Sequence, residues 1–269
     1  MFATVRGTRL SYVDEGSGPP VVWIHGYPLS GEIFRAQLAI PGYRHIVPDL
    51  RGFGASEPPD RMLTIDDYAH DVLALLDHLR IRSAVFAGLS MGGYVVFSIL
   101  RMAAERALSL ILIDTRETAD TEQGREQRYE MIRNVEINGP QAATTAMRGK
   151  LLSTAGSDGE SGKKLDAILH MATSDGIVAA LRAMAERVDG SELLRDFAGP
   201  TMVIVGEEDQ ITPVRDAERM FAIARRAELA VIPGAGHLAT MDRPDEVNAV
   251  VARFLDRSSG RNTALHESR

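Results

Sequence analysis

Residues 83–100 form an uncharged run, SAVFAGLSMGGYVVFSIL, that is compatible with only two kinds of structure. Its length is close to the minimum for a membrane-spanning helix, and Gly88 and Gly92 have the spacing of a helix-packing face. The same residues fit a buried strand, a sharp turn and a buried helix, with Ser90 on the turn. The second structure is favoured, because the run lacks a polybasic flank and its three glycines weaken an isolated helix.

Strand and helix patterns alternate on both sides of this run. A hairpin with Gly7 in its turn is followed by short β-branched segments such as PVVWIH, HIVPDL, ALSLILID and TMVIVG. Between them lie amphipathic helical patterns, one of which begins with a capping box of Thr64 and Asp67. Another follows Thr212 as its cap and Pro213 in its first turn. The alternation predicts an α/β fold with a mostly parallel eight-stranded sheet and helices on both faces.

Residues 116–197 interrupt the alternation, since they contain helical patterns and no convincing strand. We predict about four helices in this segment, at residues 122–138, 140–152, 161–173 and 175–188. The segment is therefore interpreted as a helical cap inserted over one edge of the sheet. Residues 1–115 and 198–257 are predicted to form the core, and residues 258–269 a flexible polar tail.

Composition excludes several classes of function. The formal net charge of −7 argues against a nucleic-acid partner and against attachment to an anionic membrane. The absence of cysteine rules out disulfides, thiolate metal sites and a cysteine nucleophile. The N-terminus lacks a signal-peptide pattern, so a cytoplasmic location is expected. No metal and no cofactor are predicted, and the oligomeric state stays open, with a homodimer among the alternatives.

A serine, a carboxylate and a histidine each follow a different predicted strand. Ligands collect at the carboxyl ends of parallel strands, so Ser90, a carboxylate from the run Glu207, Glu208 and Asp209, and His237 are expected at one edge of the sheet. A serine hydroxyl is a weak nucleophile and needs a base within hydrogen-bond reach. It must also stand clear of its strand and helix, and Gly88 and Gly92 allow the tight turn that this requires.

Five motifs follow predicted strands in order: HGYP, DLRGFGAS, GLSMG, GEEDQITP and GAGH. With these motifs the chain resembles the α/β-hydrolase superfamily, and it is most similar to its esterase, enol-lactonase and perhydrolase-like members. The resemblance covers nearly the whole chain. It implies a Ser-His-Asp catalytic triad, no cofactor and a helical cap after the sixth core strand.

The catalytic base is predicted by elimination. Among the seven histidines only His237 follows the last strand in a glycine-flanked loop, whereas His25 is expected to brace its own loop through hydrogen bonds. The resemblance places the triad acid at Asp209. Asp114 stays open as the alternative acid, because it ends the preceding core strand.

The backbone N–H groups of Tyr27 and Met91 are predicted to form an oxyanion hole. Met91 follows the nucleophile, and Tyr27 lies in the HGYP loop, whose Pro28 has no N–H to offer. In the neighbouring DLRGFGAS loop, Asp49 and Arg51 are expected to pair with each other.

These residues predict a serine hydrolase that cleaves carboxylic esters of small, apolar acyl substrates through an acyl-enzyme. The alternatives are a lactone hydrolase of the 3-oxoadipate enol-lactonase type and, from a different class, a non-enzymatic receptor for a small ligand. An acidic lactone would need a cation in the inserted segment, for which Arg133, Arg148 and Arg182 are candidates. Apolar candidates for an acyl pocket are Met131, Met147, Leu151, Leu152, Ile168, Met171, Ile177 and Met184.

Overall fold

A computed structural model describes residues 1–258 and shows a single eight-stranded sheet. In chain order the strands are β1 Phe2–Val5, β2 Thr8–Gly16, β3 Pro20–Ile24, β4 Arg44–Pro48, β5 Ala84–Leu89, β6 Ala107–Ile113, β7 Thr201–Gly206 and β8 Ala227–Ile232. Their order across the sheet is β1-β2-β4-β3-β5-β6-β7-β8. Strand β2 is antiparallel to both of its neighbours and all other pairs are parallel, as predicted.

Helices pack on both faces of this sheet. In chain order they are α1 Ile65–His78, α2 Met91–Ala103, α3 Glu122–Asn138, α4 Gln141–Leu151, α5 Thr154–Ser157, α6 Glu160–His170, α7 Ser174–Ala185, α8 Ser191–Asp196, α9 Val214–Ile223, α10 Ala239–Asp242 and α11 Pro244–Ser258. Of the predicted tail, only Ser258, which ends α11, falls within the described residues.

Strand β3 shows how side chains are divided between the two faces, since successive residues of a strand point to opposite sides. Val22 and Ile24 belong to the apolar core that includes α1, α2 and α9. Val21 and Trp23 belong to the second core, with α11. Every one of these four side chains is fully buried, which explains why the strand sequences are continuously apolar.

The uncharged run at residues 83–100 is divided into β5 and α2, with Ser90 between them. Its glycines are needed for close packing. A β-carbon on Gly88 would lie 2.5 Å from the Gly92 carbonyl oxygen, and one on Gly92 would lie 2.0 Å from the Ile24 carbonyl oxygen. Within residues 1–258, no helix has the length and apolar character that crossing a membrane requires.

Residues 116–197, called the insert below, contain α3 to α8 and no strand. The four predicted helices correspond to α3, α4, α6 and α7; α3 has the predicted boundaries, and those of the other three differ by one to three residues. Two short helices, α5 and α8, were not predicted, because helices of four and six residues are too short to show an apolar period. In α5 the local signal is Ser153, whose hydroxyl accepts the Gly156 N–H at 3.1 Å.

Backbone hydrogen bonds join the insert to the loop after β8. The Leu238 N–H donates to the Leu151 carbonyl at 2.8 Å. The N–H groups of Ser153 and Gly236 both donate to Asp242 Oδ2 at 2.8 Å, so one carboxylate oxygen links the two segments. The position of the insert is thereby tied to the loop that contains His237.

We expect Gly92→Ala to lower the free energy of unfolding by about 3 kcal/mol, the upper end for overpacking, because its β-carbon would collide with the Ile24 carbonyl. Gly149→Ala on α4 is the matched control, since a β-carbon there meets nothing within 4 Å. It should stabilise the protein by about 0.5–1 kcal/mol through helix propensity. Urea unfolding measures both changes, and effects of equal size and sign would contradict the steric explanation.

Candidate active site

Ser90 occupies a sharp turn between β5 and α2. Its backbone angles, φ 53° and ψ −117°, lie in a region that non-glycine residues rarely adopt. Two hydrogen bonds hold the turn: the Ser90 N–H donates to the Ile113 carbonyl at 3.0 Å, and the Thr115 hydroxyl donates to the Ser90 carbonyl at 2.7 Å. Strain of this kind persists only where the surrounding structure enforces it. The side chain of Ser90 is thus presented at the end of β5.

His237 and Asp209 form a buried hydrogen-bonded pair. His237 Nδ1 lies 2.9 Å from Asp209 Oδ2, and both side chains are almost completely inaccessible to solvent. The Thr212 hydroxyl donates to the same carboxylate oxygen at 2.6 Å. The backbone N–H groups of Ile211 and Thr212 donate to Oδ1 at 2.8 and 3.0 Å. The carboxylate is therefore oriented by several donors besides the imidazole.

These donors determine the charge of Asp209. Burial raises the pKa of the Asp209 carboxyl, but the charge and hydrogen bond of His237 and the bonds from Thr212 outweigh burial and leave the pKa below its usual value. The carboxyl is ionised near neutral pH. An ionised acceptor on Nδ1 fixes the imidazole tautomer that carries a proton there and leaves Nε2 as an acceptor.

His237 Nε2 is buried and has no hydrogen-bond partner within the described part of the chain. It therefore forms no hydrogen bond with Ser90. The loops that contain Ser90 and His237 are nevertheless brought together, because Asp114, which directly follows β6, links them. Asp114 follows Ile113, which binds the Ser90 N–H, and Asp114 Oδ2 accepts the Ala239 N–H at 3.2 Å.

Asp114, the alternative acid, makes different contacts. Its Oδ1 accepts the Gly206 N–H at 2.7 Å, and its other oxygen accepts the Ala239 N–H. Both oxygens thus bind the backbone after β7 and β8, and the imidazole of His237 pairs with Asp209. The geometry favours Asp209 as the partner of the histidine.

Two backbone N–H groups are available beside Ser90. Within residues 1–258, neither Tyr27 nor Met91 donates its N–H to a protein acceptor. Met91 is the first residue of α2, where N–H groups have no partner inside the helix. The loop that contains Tyr27 lies against the serine, since a β-carbon on Gly26 would be 2.9 Å from Ser90 Cβ. Met91 thus follows Ser90 directly, and Tyr27 belongs to the loop that packs against Ser90.

The family model described as the alpha/beta hydrolase family matches residues 21–250. The chain belongs to the alpha/beta hydrolase family. A thermophilic esterase from Thermogutta terrifontis, solved with malate bound, is 34% identical; the match covers 96% of this chain and 98% of that one, with a TM-score of 0.90.

Curated relatives of this hydrolase have several names. The 3-oxoadipate enol-lactonase 2 of Acinetobacter baylyi is 28% identical, over 94% of this chain and 96% of the relative. The non-heme haloperoxidase of Rhodococcus erythropolis is 29% identical, over 93% of this chain and 97% of the relative. The names differ in activity, so the similarity establishes the family and leaves the reaction to be argued from the site.

The loop after β4 confirms one expectation for this hydrolase and corrects another. His25 Nε2 accepts the Leu50 N–H at 2.9 Å, so His25 braces the loop as predicted. The predicted Asp49–Arg51 pair is wrong. Asp49 accepts two backbone N–H groups of its own surroundings, and Arg51 reaches α1, where it binds both oxygens of Asp71 at 2.8 and 2.9 Å. Sequence proximity indicated the wrong partner, because α1 lies against this loop.

Thr212 also differs from its predicted role. The cap residue of α9 is Pro213, and no side chain caps that helix. The Thr212 hydroxyl instead binds Asp209, three residues earlier. The spacing of an acid and a hydroxyl residue three positions apart is the sequence signal for such a local turn.

The three cations predicted in the insert have different surroundings. Arg148 binds Asp166, and Arg182 contacts the sulphur of Met62. Arg133 is exposed on α3. The apolar candidates differ as well: Leu151 and Ile177 are fully buried, whereas Met171 is 59% exposed.

Arg128 is a cation of the insert that was not among the predicted candidates. It lies on α3 four residues before Ile132 and seven before Val135, both buried, and so shares the apolar stripe of that helix. In the sequence, an arginine on the apolar stripe of a helix was the signal that could have identified this residue. Its guanidinium pairs with Asp120 and lies 3.4 Å from Met184 Sδ.

The pKa of the buried Asp114 carboxyl can be tested through the pH dependence of protein stability. Burial and, next, the charge of Asp209 raise the pKa of Asp114 well above its usual value. Above about pH 4, the folded protein therefore binds more protons than the unfolded chain, and this group lowers the free energy of unfolding as pH rises.

We expect the stability difference, wild type minus Asp114→Asn, to fall with rising pH by up to about 1.4 kcal/mol per pH unit. The fall should end at the raised pKa of the folded state, above which the slope is zero. Urea unfolding of both proteins, from about pH 4 upward, measures this difference. A difference that increases with pH would mean that the pKa of Asp114 is lowered.

Proposed function

We propose that this protein is a serine hydrolase that cleaves carboxylic esters of small substrates with an apolar acyl part. The observation that carries the proposal is the His237–Asp209 pair, which leaves His237 Nε2 unpartnered in a loop joined to the Ser90 turn. A base with a free nitrogen, a strained serine and two spare N–H donors are the parts that acyl transfer needs.

In the proposed first step, Ser90 Oγ forms a bond to the ester carbonyl carbon and its proton passes to His237 Nε2. The carbonyl oxygen becomes an oxyanion, which accepts hydrogen bonds from the N–H groups of Tyr27 and Met91. The tetrahedral intermediate then collapses. The bond to the alcohol breaks, and the alcohol leaves with the proton from His237.

In the second step, water gives a proton to His237 and attacks the acyl-enzyme carbonyl. The second tetrahedral intermediate then collapses: the bond between the acyl carbon and Ser90 Oγ breaks, His237 returns its proton to Oγ, and the carboxylic acid leaves. Asp209 stays ionised throughout; it orients the imidazole and stabilises the imidazolium that forms in each step. No cofactor enters either step.

The insert is proposed to act as a cap over this site. In this arrangement residues 1–115 and 198–257 form the catalytic core, and residues 116–197 provide the acyl pocket. Hydrogen bonds between the insert and the His237 loop support this division, because they hold the insert at the edge of the sheet where Ser90 lies. The cytoplasmic location stays a prediction from the sequence.

Lactone hydrolysis is the second candidate function. A lactone is a cyclic ester, so the same attack opens it, and the alcohol produced stays attached to the acyl group. The relative from Acinetobacter baylyi is named an enol-lactonase, which favours this candidate. The haloperoxidase-named relatives suggest a side activity in which hydrogen peroxide replaces water in the second step.

A fluorophosphonate probe should form one covalent adduct on Ser90, because the probe reacts with an activated serine. Intact-mass spectrometry followed by peptide mapping measures the adduct. Ser90→Ala should abolish it, and Ser98→Ala, on the same helix, serves as the matched control that keeps it. An adduct elsewhere, or none, would contradict the nucleophile assignment.

Substitution of the His237–Asp209 pair should remove most ester hydrolysis. We expect Ser90→Ala and His237→Ala each to lower kcat by roughly 10⁴-fold or more, and Asp209→Asn by roughly 10⁴-fold through the wrong tautomer. A p-nitrophenyl ester series of increasing acyl length, run beside a lactone panel, measures the rates. Wild-type activity in Asp209→Asn would show that the acid is misassigned, and no turnover of any substrate would favour the receptor.

A further inference from the structure

Arg128 in the insert has more hydrogen-bond donors than acceptors. A guanidinium carries five N–H donors. Those of Arg128 bind the two oxygens of Asp120, and Nη1 faces only the thioether sulphur of Met184, which is a weak acceptor. About a fifth of the side chain, 22%, is exposed, so a ligand can reach it.

The charges around Arg128 do not cancel. Asp120 is also bound by Arg187, whose Nη1 lies 2.8 Å from the same carboxylate, so two guanidinium groups share one anion. Arg187 and Asp120 are both nearly buried. The neighbouring carboxylate Glu117 is taken by Arg219 and does not neutralise the pair. Two partly buried guanidinium groups on one carboxylate leave an excess of positive charge, which an additional anion would neutralise.

The second cation, Arg187, is fixed by the protein itself. It donates to the carbonyl oxygens of Met184 and Thr118 at 2.9 Å, and its guanidinium carbon lies 4.1 Å above the ring of Tyr94. Arg187 therefore holds Asp120 in place. The Nε of Arg187 is buried and has no partner within residues 1–258, so Arg128 is the member of the cluster whose remaining donors a ligand can reach.

Tyr27 provides an unpartnered hydroxyl in the same apolar core as Met184 and Tyr94, the residues that Arg128 and Arg187 contact. The side chain is 6% exposed, and its Oη has no hydrogen-bond partner within residues 1–258. Burial raises the pKa of this hydroxyl, and the positive charge of Arg128 acts in the opposite direction. The hydroxyl is a neutral donor. A buried donor without an acceptor normally indicates a missing partner.

Two elements connect the cluster to the proposed nucleophile. Tyr94, on which Arg187 stacks, is in the first turn of α2, four residues after Ser90. Tyr27 follows Gly26, where a β-carbon would be 2.9 Å from Ser90 Cβ, so its loop packs against the same serine. The side chains of Tyr27 and Tyr94 belong to the same apolar core as Met184, whose sulphur Arg128 contacts.

We propose that Arg128 and the Tyr27 hydroxyl bind a carboxylate of the substrate, so that the preferred substrates are esters or lactones that also carry a free carboxylate. This inference rests on the proposed function and narrows its substrate class to acyl groups that have an apolar chain between two carbonyl carbons. The guanidinium supplies a charged donor and the phenol a second, neutral one.

Three matched ester pairs test the inference. Monoethyl succinate, glutarate and adipate are compared with ethyl butyrate, valerate and hexanoate, in which a methyl group replaces the carboxylate. Wild type should favour the acidic member of at least one pair in kcat/KM. Arg128→Met should lower that acidic-to-neutral ratio by roughly 10- to 100-fold, the range for a hydrogen-bonded charge.

Two further variants separate this role from general damage. Arg125→Met, on the same helix but 48% exposed and paired with Glu186, should leave the ratio unchanged. Arg128→Lys keeps the charge without the planar fork and should retain part of the preference. Asp120 keeps Arg187 as a partner in every case, and circular dichroism checks that each variant is folded. An unchanged ratio in Arg128→Met would overturn the inference.

Binding to Ser90→Ala distinguishes failure of this inference from failure of the proposed reaction. Calorimetry should show that monoethyl adipate binds more tightly than ethyl hexanoate and that adding Arg128→Met removes the difference. If this difference in binding is found but wild type hydrolyses none of the esters, the carboxylate-binding role of Arg128 is supported and the proposed hydrolase reaction is wrong. If neutral esters are hydrolysed through Ser90 but the acidic member neither binds better nor reacts faster, the subsite is wrong.

Discussion

The contact between α2 and β3 is the constraint on which the site depends. Gly92 allows the helix backbone to approach the Ile24 carbonyl, at a distance that leaves no room for a side chain. This approach forces the chain to reverse within one residue after β5, and Ser90 takes the strained angles that result. The Ile113 carbonyl and the Thr115 hydroxyl, both from the end of β6, then hold the turn. The position of the serine is thus a product of backbone packing in the core.

Two buried carboxyl groups at neighbouring strand ends have different tasks because their partners differ. Asp209 binds an imidazole, a hydroxyl and two backbone N–H groups, which together keep it ionised despite burial. Asp114 has two backbone donors only and stands beside the charge of Asp209, so burial raises its pKa. The proximity of the two is tolerated because one of them carries most of the negative charge. Asp114 then serves to align the backbone after β7 and β8.

Much of the fold could be read from the sequence, because strand and helix periods, turn residues and their order are local properties. The strands, the division of residues 83–100 and the main helices of the insert were predicted on this basis. Partners across the fold were not predicted: Arg51 was assigned to Asp49 although it binds Asp71, and Arg128, which pairs with Asp120, was not among the predicted cations. Such pairings depend on how helices pack, which a single sequence does not encode locally. Ser90, His237 and Asp209 could be located in advance because each follows a strand, and strand ends converge.

The carboxylate of Asp242 limits which segments of this protein can be exchanged without disturbing their neighbours. One of its oxygens binds backbone N–H groups on both sides of the boundary between insert and core, at Ser153 and Gly236. Gly236 immediately precedes His237, so the histidine's loop takes its shape partly from the insert. The insert is therefore a poor unit for exchange, because a segment transplanted from a relative brings its own register at residue 153 and disturbs the loop that contains His237. Substitution of single side chains on α3 leaves these hydrogen bonds in place.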